Sequence, residues 1–247
     1  MPFFSLLWLN VCCRSIVFWI ACAAGHLGHL KVFAKRSISY VPLLGTAMRA
    51  MGTVFLSRSW ESDKRSIERT FRHLRESRLP YWLLTHPEGT RATPAKLAEC
   101  AVFARSKGLP LLQHVLLPRV KGLVATLSGL RGSLDTVLDV TICWDKPAGP
   151  LPFFFFGQGG ARVVHCHLRE FPARDIPADD EEQLLQWIYA RWREKDELVG
   201  TFKATGSFGT PPLAGVGIPH AQVNRNMYMW QLIVAALSVG LLWRHFV

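Results

Sequence analysis

The feature that most restricts how this chain folds is the run at residues 81–91, YWLLTHPEGTR. Its first five residues are apolar or β-branched, and His86, Pro87, Glu88 and Gly89 then end the pattern abruptly. A short apolar run bounded by Pro and Gly reads as a buried strand that feeds a loop. The loop offers the carboxylate of Glu88, the hydroxyl of Thr90, the guanidinium of Arg91 and the backbone N–H groups around Gly89. That set suits the gripping of an anion, because Arg can hold a phosphate through two parallel hydrogen bonds. An ordinary strand end with a solvated turn is the competing reading of the same residues.

The flanking segments alternate between strand and helix patterns. Residues 52–58 (GTVFLSR) read as a strand whose end sets Ser57 and Arg58 at a loop, where α/β proteins build sites. Residues 62–79 read as a helix with Ile67, Phe71 and Leu74 on its core side. A second helix follows the central loop, with Thr93 as N-cap, Pro94 in the first helical position and Gly108 as terminator. Its positive end would point toward that loop. Residues 109–117 are expected to form a strand interrupted by Gln113 and His114 and ended by Pro118, Arg119 and Lys121. His114 reads as an interior histidine more readily than as a base. Two more strands are expected at 134–144 and 163–168, then a helix capped by Asp179 or Asp180 and running to about Leu198, with Leu184, Trp187, Ile188 and Trp192 on its apolar side. The fold class expected from this alternation is α/β, with one central mixed sheet of about six or seven strands and helices on both faces.

With 247 residues, 49% of them hydrophobic and 19% charged, the chain has material for one sizeable domain plus membrane segments, and an unstructured chain is excluded. The formal charge of +11 suits either nucleic acid or anionic lipid. The basic residues are interleaved with apolar segments and show neither a zinc-finger spacing nor an RNP-like run, which favours lipid and argues against nucleic acid. Six cysteines without a C-x-x-C pair read as reduced thiols in a cytosol-facing protein, with acylation of Cys12 and Cys13 as the alternative. No metal-ligand spacing is visible.

Residues 1–24 form an apolar segment in which Arg14 sits centrally, so a bilayer span competes with an interfacial helix. Lys31, Lys35, Arg36 and the stretch 40–44 then make an amphipathic region, either a solvated face or one that rests on an anionic membrane. Residues 206–226, rich in Gly and Pro, read as a linker, and 227–243, flanked by Arg225, Arg244 and His245, as a transmembrane helix with Tyr228, Trp230 and Trp243 at its interfaces. An α/β domain over 25–205 lies between these ends.

The words around the central loop resemble those of the glycerolipid acyltransferase family, in its membrane-bound eukaryotic branch. HPEGTR (86–91) is similar to the family's FPEGTR block, GHLGHLKVFAKRSISYVPLLG (25–45) to its Lys-rich segment, MGTVFLSRSW (51–60) to its second block, and HVLLPRVKG (114–122) to its fourth. HLREFPARDIPADDEE (167–182) looks like a further segment of that branch, so the resemblance runs in order over roughly 15–208. It implies transfer of a fatty acyl group from acyl-CoA, a co-substrate and not a resident cofactor, to a lysophospholipid such as 1-acylglycerol-3-phosphate. It further implies the endoplasmic reticulum membrane with the active domain facing the cytosol, and phosphate binding by Arg58, Glu88, Gly89, Thr90 and Arg91. Lys35, Arg119 and Lys121 are weaker anion-binding candidates.

The chain departs from the family in one respect. The resemblance predicts an upstream H-x-x-x-x-D block whose His takes the acceptor's proton, yet none of the nine histidines has an Asp five residues on. His26 and His29 are the nearest replacements. Either the protein acts through an unrecognised base or as part of a longer chain, or it is a silent membrane-bound binder of lipid or acyl-CoA, or the partner of a complete paralogue.

Overall fold

A computed structural model describes residues 4–9, 27–42, 44–57, 59–77, 79–144 and 164–210. The chain divides into two compact units, with a boundary in sequence between Thr85 and His86. A first strand, β1 (Phe4–Leu9), stands within the apolar N-terminal segment.

The first unit is built on β2 (Leu30–Lys35), with β3 (Val54–Leu56) and β4 (Tyr81–Thr85) both parallel to it. Phe33 stands opposite Val54, and Val32 opposite Leu84. All five residues of β4 are buried, which is why its sequence is continuously apolar instead of alternating. The β3-to-β4 crossover is α2 (Trp60–Ser77), preceded in the chain by the short α1 (Leu44–Ala50). Glu61 and Asp63 lie in the first turn of α2 and Arg75 in its last, as the helix dipole favours. Ile67, Phe71 and Leu74 are buried, each worth about 1.5–3 kcal/mol of removed apolar surface. The Asp63 carboxylate accepts from the Ser57 backbone N–H and from its hydroxyl, both at 2.8 Å, and so ties the end of β3 to the helix start.

The second unit holds α3 (Pro94–Lys107), α4 (Val120–Gly129), the antiparallel pair β5 (Thr136–Trp144) and β6 (Val164–Pro172), and α5 (Glu181–Thr205). Asp180 caps α5 by accepting from the N–H groups of Glu182 and Gln183, and Gly206 ends it in the left-handed conformation. Along β6 the exposure alternates. His165, His167, Arg169 and Phe171 are half-buried, and the rings of His165 and Phe171 meet Phe202 and Trp187 of the helix side, whereas Cys166, Leu168 and Glu170 are exposed. Helix α5 also buries Leu184, Ile188 and Trp192. Beside them Lys195 forms an ion pair with Asp139 of β5, both about 1% exposed, and Arg169 donates to the same carboxylate.

Set against the expected central mixed sheet of six or seven strands, the strand-to-strand registers described fall into two separate groups. The pairings described are a three-stranded parallel sheet in the first unit and a two-stranded antiparallel ladder in the second. Residues 109–117, expected as a strand, form none, because buried carboxylates take their amide hydrogens. Asp196 accepts from Gln113, His114 and Val115, and Glu88 from Leu116. Among the described residues no helix is long and apolar enough to cross a membrane. The start of the expected apolar membrane segment is the strand β1. The expected transmembrane helix at 227–243 lies outside the described residues, as do the linker beyond Thr210 and the four phenylalanines at 153–156.

Other expectations hold with shifted ends. The helix expected at 62–79 is α2, three residues of the strand expected at 52–58 survive as β3, β6 extends to Pro172, and α5 runs seven residues past Leu198. Helix α4 has no counterpart in the sequence reading.

Removing Asp139 from under Lys195 leaves a buried ammonium without its partner. Asp139→Asn is therefore expected to cost about 3–5 kcal/mol in denaturant unfolding. Adding Lys195→Met to that variant is expected to recover most of the loss.

Candidate functional site

The HPEGTR turn opens the second unit. The Gly89 N–H donates to the His86 carbonyl at 2.9 Å, and Gly89 has φ +71°, a conformation that costs an L side chain and not glycine. Space imposes the same choice. A Cβ on Gly89 would stand 2.6 Å from Nε of Arg119, so the guanidinium of Arg119 lies directly on this glycine. The Arg119 N–H in turn donates to the Pro87 carbonyl at 2.7 Å. The turn and the start of α4, whose N-terminal flank is Arg119, are thus joined backbone to backbone.

Helix α3 closes the other side. Thr93 caps it by accepting from the Lys96 N–H, Pro94 occupies the first position, and Gly108 terminates it in the left-handed conformation, as its sequence predicts. One turn into the helix, the Lys96 ammonium donates to the Thr90 hydroxyl. Lys96 was missed by sequence reasoning, although its place three residues after the cap, at the positive end of a helix without acidic residues in its first turn, was a readable signal. The turn therefore carries two cations held against it, Arg119 at Gly89 and Lys96 at Thr90, with Arg91 exposed beside them. Lys121, also exposed, lies in the first turn of α4.

Glu88 behaves differently from its neighbours. Its side chain is 5% exposed and Oε2 accepts from the Leu116 N–H at 3.3 Å, so the carboxylate points into the unit, away from solvent. Burial pushes its pKa up to about 7, opposed by the positive charge of Lys195 and by the Leu116 hydrogen bond, and reinforced by the charges of Asp139 and Asp196. Glu88 is the brace behind the turn, and the face offered outward is cationic.

The remaining sequence candidates fall elsewhere. His26 and Arg58 lie outside the described residues. His29 ends a 3-10 turn (Leu27–His29) ahead of β2, and Lys35 is exposed at the end of β2, both in the first unit. His114 is half-buried, with Nδ1 3.2 Å from the Lys203 ammonium and its ring against Gly200, where a Cβ would come within 2.9 Å. Among the described residues no group of His, Cys, Asp and Glu could hold a metal ion.

Because the folded pKa of Glu88 lies above its ordinary value, the neutral form is the one that burial favours. Its contribution to stability is full below about pH 4.5 and is lost as the pH rises through about 7. Glu88→Gln keeps an oxygen for the Leu116 N–H and cannot ionise. Thermal unfolding of this variant is expected to lose less stability over that interval than the parent, by up to about 3 kcal/mol.

Comparison with known proteins places the chain in a family. The acyltransferase family matches residues 15–142, and the acyltransferase C-terminus family matches 156–237. An uncharacterised acyltransferase of Schizosaccharomyces pombe is 34% identical over 203 residues, covering 79% of this chain and 58% of that protein. The human 1-acyl-sn-glycerol-3-phosphate acyltransferase delta is 36% identical over 202 residues, 81% of this chain and 52% of the relative. The 1-acyl-sn-glycerol-3-phosphate acyltransferase 2 of Brassica napus is 31% identical over 205 residues, 83% and 52%. The chain thus spans between about half and three-fifths of the length of these relatives. No solved structure matches it. A family match across more than half of the chain, with the HPEGTR turn inside it, makes this protein a member of the glycerolipid acyltransferase family.

Proposed function

We propose that the protein takes part in acyl transfer from acyl-CoA to the free hydroxyl of a lysophospholipid, 1-acylglycerol-3-phosphate or a close relative, and that the HPEGTR turn holds the acceptor's phosphate. The observation that supports this most directly is the convergence of Arg119 and Lys96 on Gly89 and Thr90, with Arg91 exposed next to them. No ion pair formed among the described residues involves any of the three cations. Charge-assisted hydrogen bonds from such groups to a phosphate contribute about 1.5–3 kcal/mol each. The Gly89 N–H is taken by the His86 carbonyl, which leaves the side-chain cations to meet the anion, and Glu88 fixes the turn from behind.

In the reaction the acceptor hydroxyl oxygen attacks the thioester carbonyl carbon, the carbon–sulfur bond breaks, and the thiolate of CoA leaves and takes up a proton. The hydroxyl proton must pass to a base within about 2.6–3.2 Å of that oxygen, directly or through one water. His26 and His29 are the candidates within these 247 residues, and neither has a carboxylate five residues on to fix its tautomer. The lack of an H-x-x-x-x-D block is the observation that favours the second reading, a silent lipid or acyl-CoA binder.

The 247-residue chain, reconstituted in lipid, is expected to acylate lysophosphatidic acid roughly a hundredfold more slowly than a version extended with N-H-x-x-x-x-D. Comparable turnover, abolished by His26→Ala or His29→Ala, would instead identify the substitute base. Phosphate binding is separable from turnover. Arg119→Ala is expected to weaken equilibrium binding of lysophosphatidic acid about tenfold or more, as loss of one charge-assisted contact implies. Gly89→Ala is expected to weaken it at least as much, since the new methyl must displace the same guanidinium. Unchanged affinity in both variants would remove the turn from the phosphate site.

A further inference from the structure

We propose that the corner between β2 and α1 in the first unit is a docking surface for an anionic lipid bilayer. A 3-10 turn, Arg36–Tyr40, follows β2 directly and leads through Val41 and Pro42 toward α1. The corner is rigidly made. The Gly45 N–H donates to the Val41 carbonyl at 2.8 Å, the Arg49 guanidinium donates to the Ser39 carbonyl at 2.7 Å, and the Ser39 hydroxyl donates to the Arg36 carbonyl at 2.6 Å. A Cβ on Gly45 would fall 2.3 Å from the Ser39 carbonyl oxygen, so the two arms touch as closely as backbones allow. This construction holds its tip outward, and the tip is apolar. Tyr40, 72% exposed, is the most exposed large hydrophobic side chain of the described residues, and Val41, at 44%, and Pro42 are exposed with it.

Cations ring the tip. Lys35, Arg36 and Arg49 are exposed, and Arg49 is bonded one residue from Tyr40. Lys31 is turned inward onto the carbonyls of Gly28 and Met51 and does not join them. From the N-terminus to Trp60 the sequence contains six Lys and Arg and no Asp or Glu, and the first acidic residue is Glu61. An apolar tip whose aromatic ring has one polar end, set in a field of one sign, matches the interface of a membrane bearing anionic headgroups. A solvated protein surface of this size mixes both signs. The occupant is therefore a lipid surface in preference to a protein, and the tip inserts shallowly while the cations meet headgroup phosphates or carboxylates.

This inference does not depend on acyl transfer, and its test reads position instead of turnover. The full chain is reconstituted with vesicles carrying spin-labelled lipid, with an environment-sensitive fluorescent amino acid placed at Tyr40 or, as control, at the exposed Glu68 of α2. In vesicles of phosphatidylcholine with about a third phosphatidylserine, the probe at position 40 is expected to shift to the blue and be quenched severalfold more than the probe at position 68. Lys35→Gln with Arg36→Gln is expected to reduce that quenching to the level found with phosphatidylcholine alone. A probe at position 40 as unquenched as that at 68 overturns the proposal. So does equal quenching in neutral and anionic vesicles, and so does a blue shift produced by protein concentration without lipid, which would indicate a second copy of the chain as the occupant.

Discussion

Four consecutive amide hydrogens, those of Gln113 to Leu116, go to the carboxylates of Asp196 and Glu88, and much of the second unit depends on that substitution for a sheet ladder. Buried N–H groups must be paired, and two side-chain carboxylates distant in sequence do here what a neighbouring strand does elsewhere. The segment becomes a strap clamped between α5 and the HPEGTR turn. Its far end is Arg119, whose N–H closes onto Pro87 and whose guanidinium covers Gly89. The position of a cation at the proposed phosphate site is thus set partly by a helix some eighty residues further along the chain.

Elements specified by local chemistry were legible in the sequence. β4 showed itself as a continuous apolar run ended by Pro and Gly, and α3 by the Thr93 cap, Pro94 and Gly108, because each signal sits within a few residues of its effect. The strap was not legible. Residues 109–117 carry the apolar pattern of a strand, and the carboxylates that claim their N–H groups lie at positions 88 and 196, too far away for any window to register. The strand expected at that place does not form. Helix α4 was overlooked for a related reason. Its cap is Arg119, which makes no side-chain capping bond, and Gly122 interrupts its pattern.

In the site, the turn was found but the roles within it were not divided. Four neighbouring residues, Glu88 to Arg91, present four polar groups, and sequence alone gives no reason to send one of them inward. The structure sends Glu88 inward because the strap needs an acceptor for Leu116, and the strap's own far end then supplies Arg119 to the outward side. Lys96 joins through a helix turn, a spacing that reads as helix surface until the helix start is seen to abut Thr90.

This division makes physical sense for a surface that grips an anion. A fixed negative charge directly behind the turn would oppose a phosphate in front of it, and at the reduced dielectric of a protein interior that opposition is not screened as in water. Burial raises the Glu88 pKa to about 7, so near neutral pH the side chain is neutral for much of the time while its oxygen still accepts from Leu116. By linkage, an anion bound at the turn draws the brace further toward its neutral form, just as the neutral brace favours the anion. At the proposed phosphate site a glutamate so buried would serve as a mechanical support whose charge recedes as an anion binds, which neither an exposed carboxylate nor a permanently ionised one could provide.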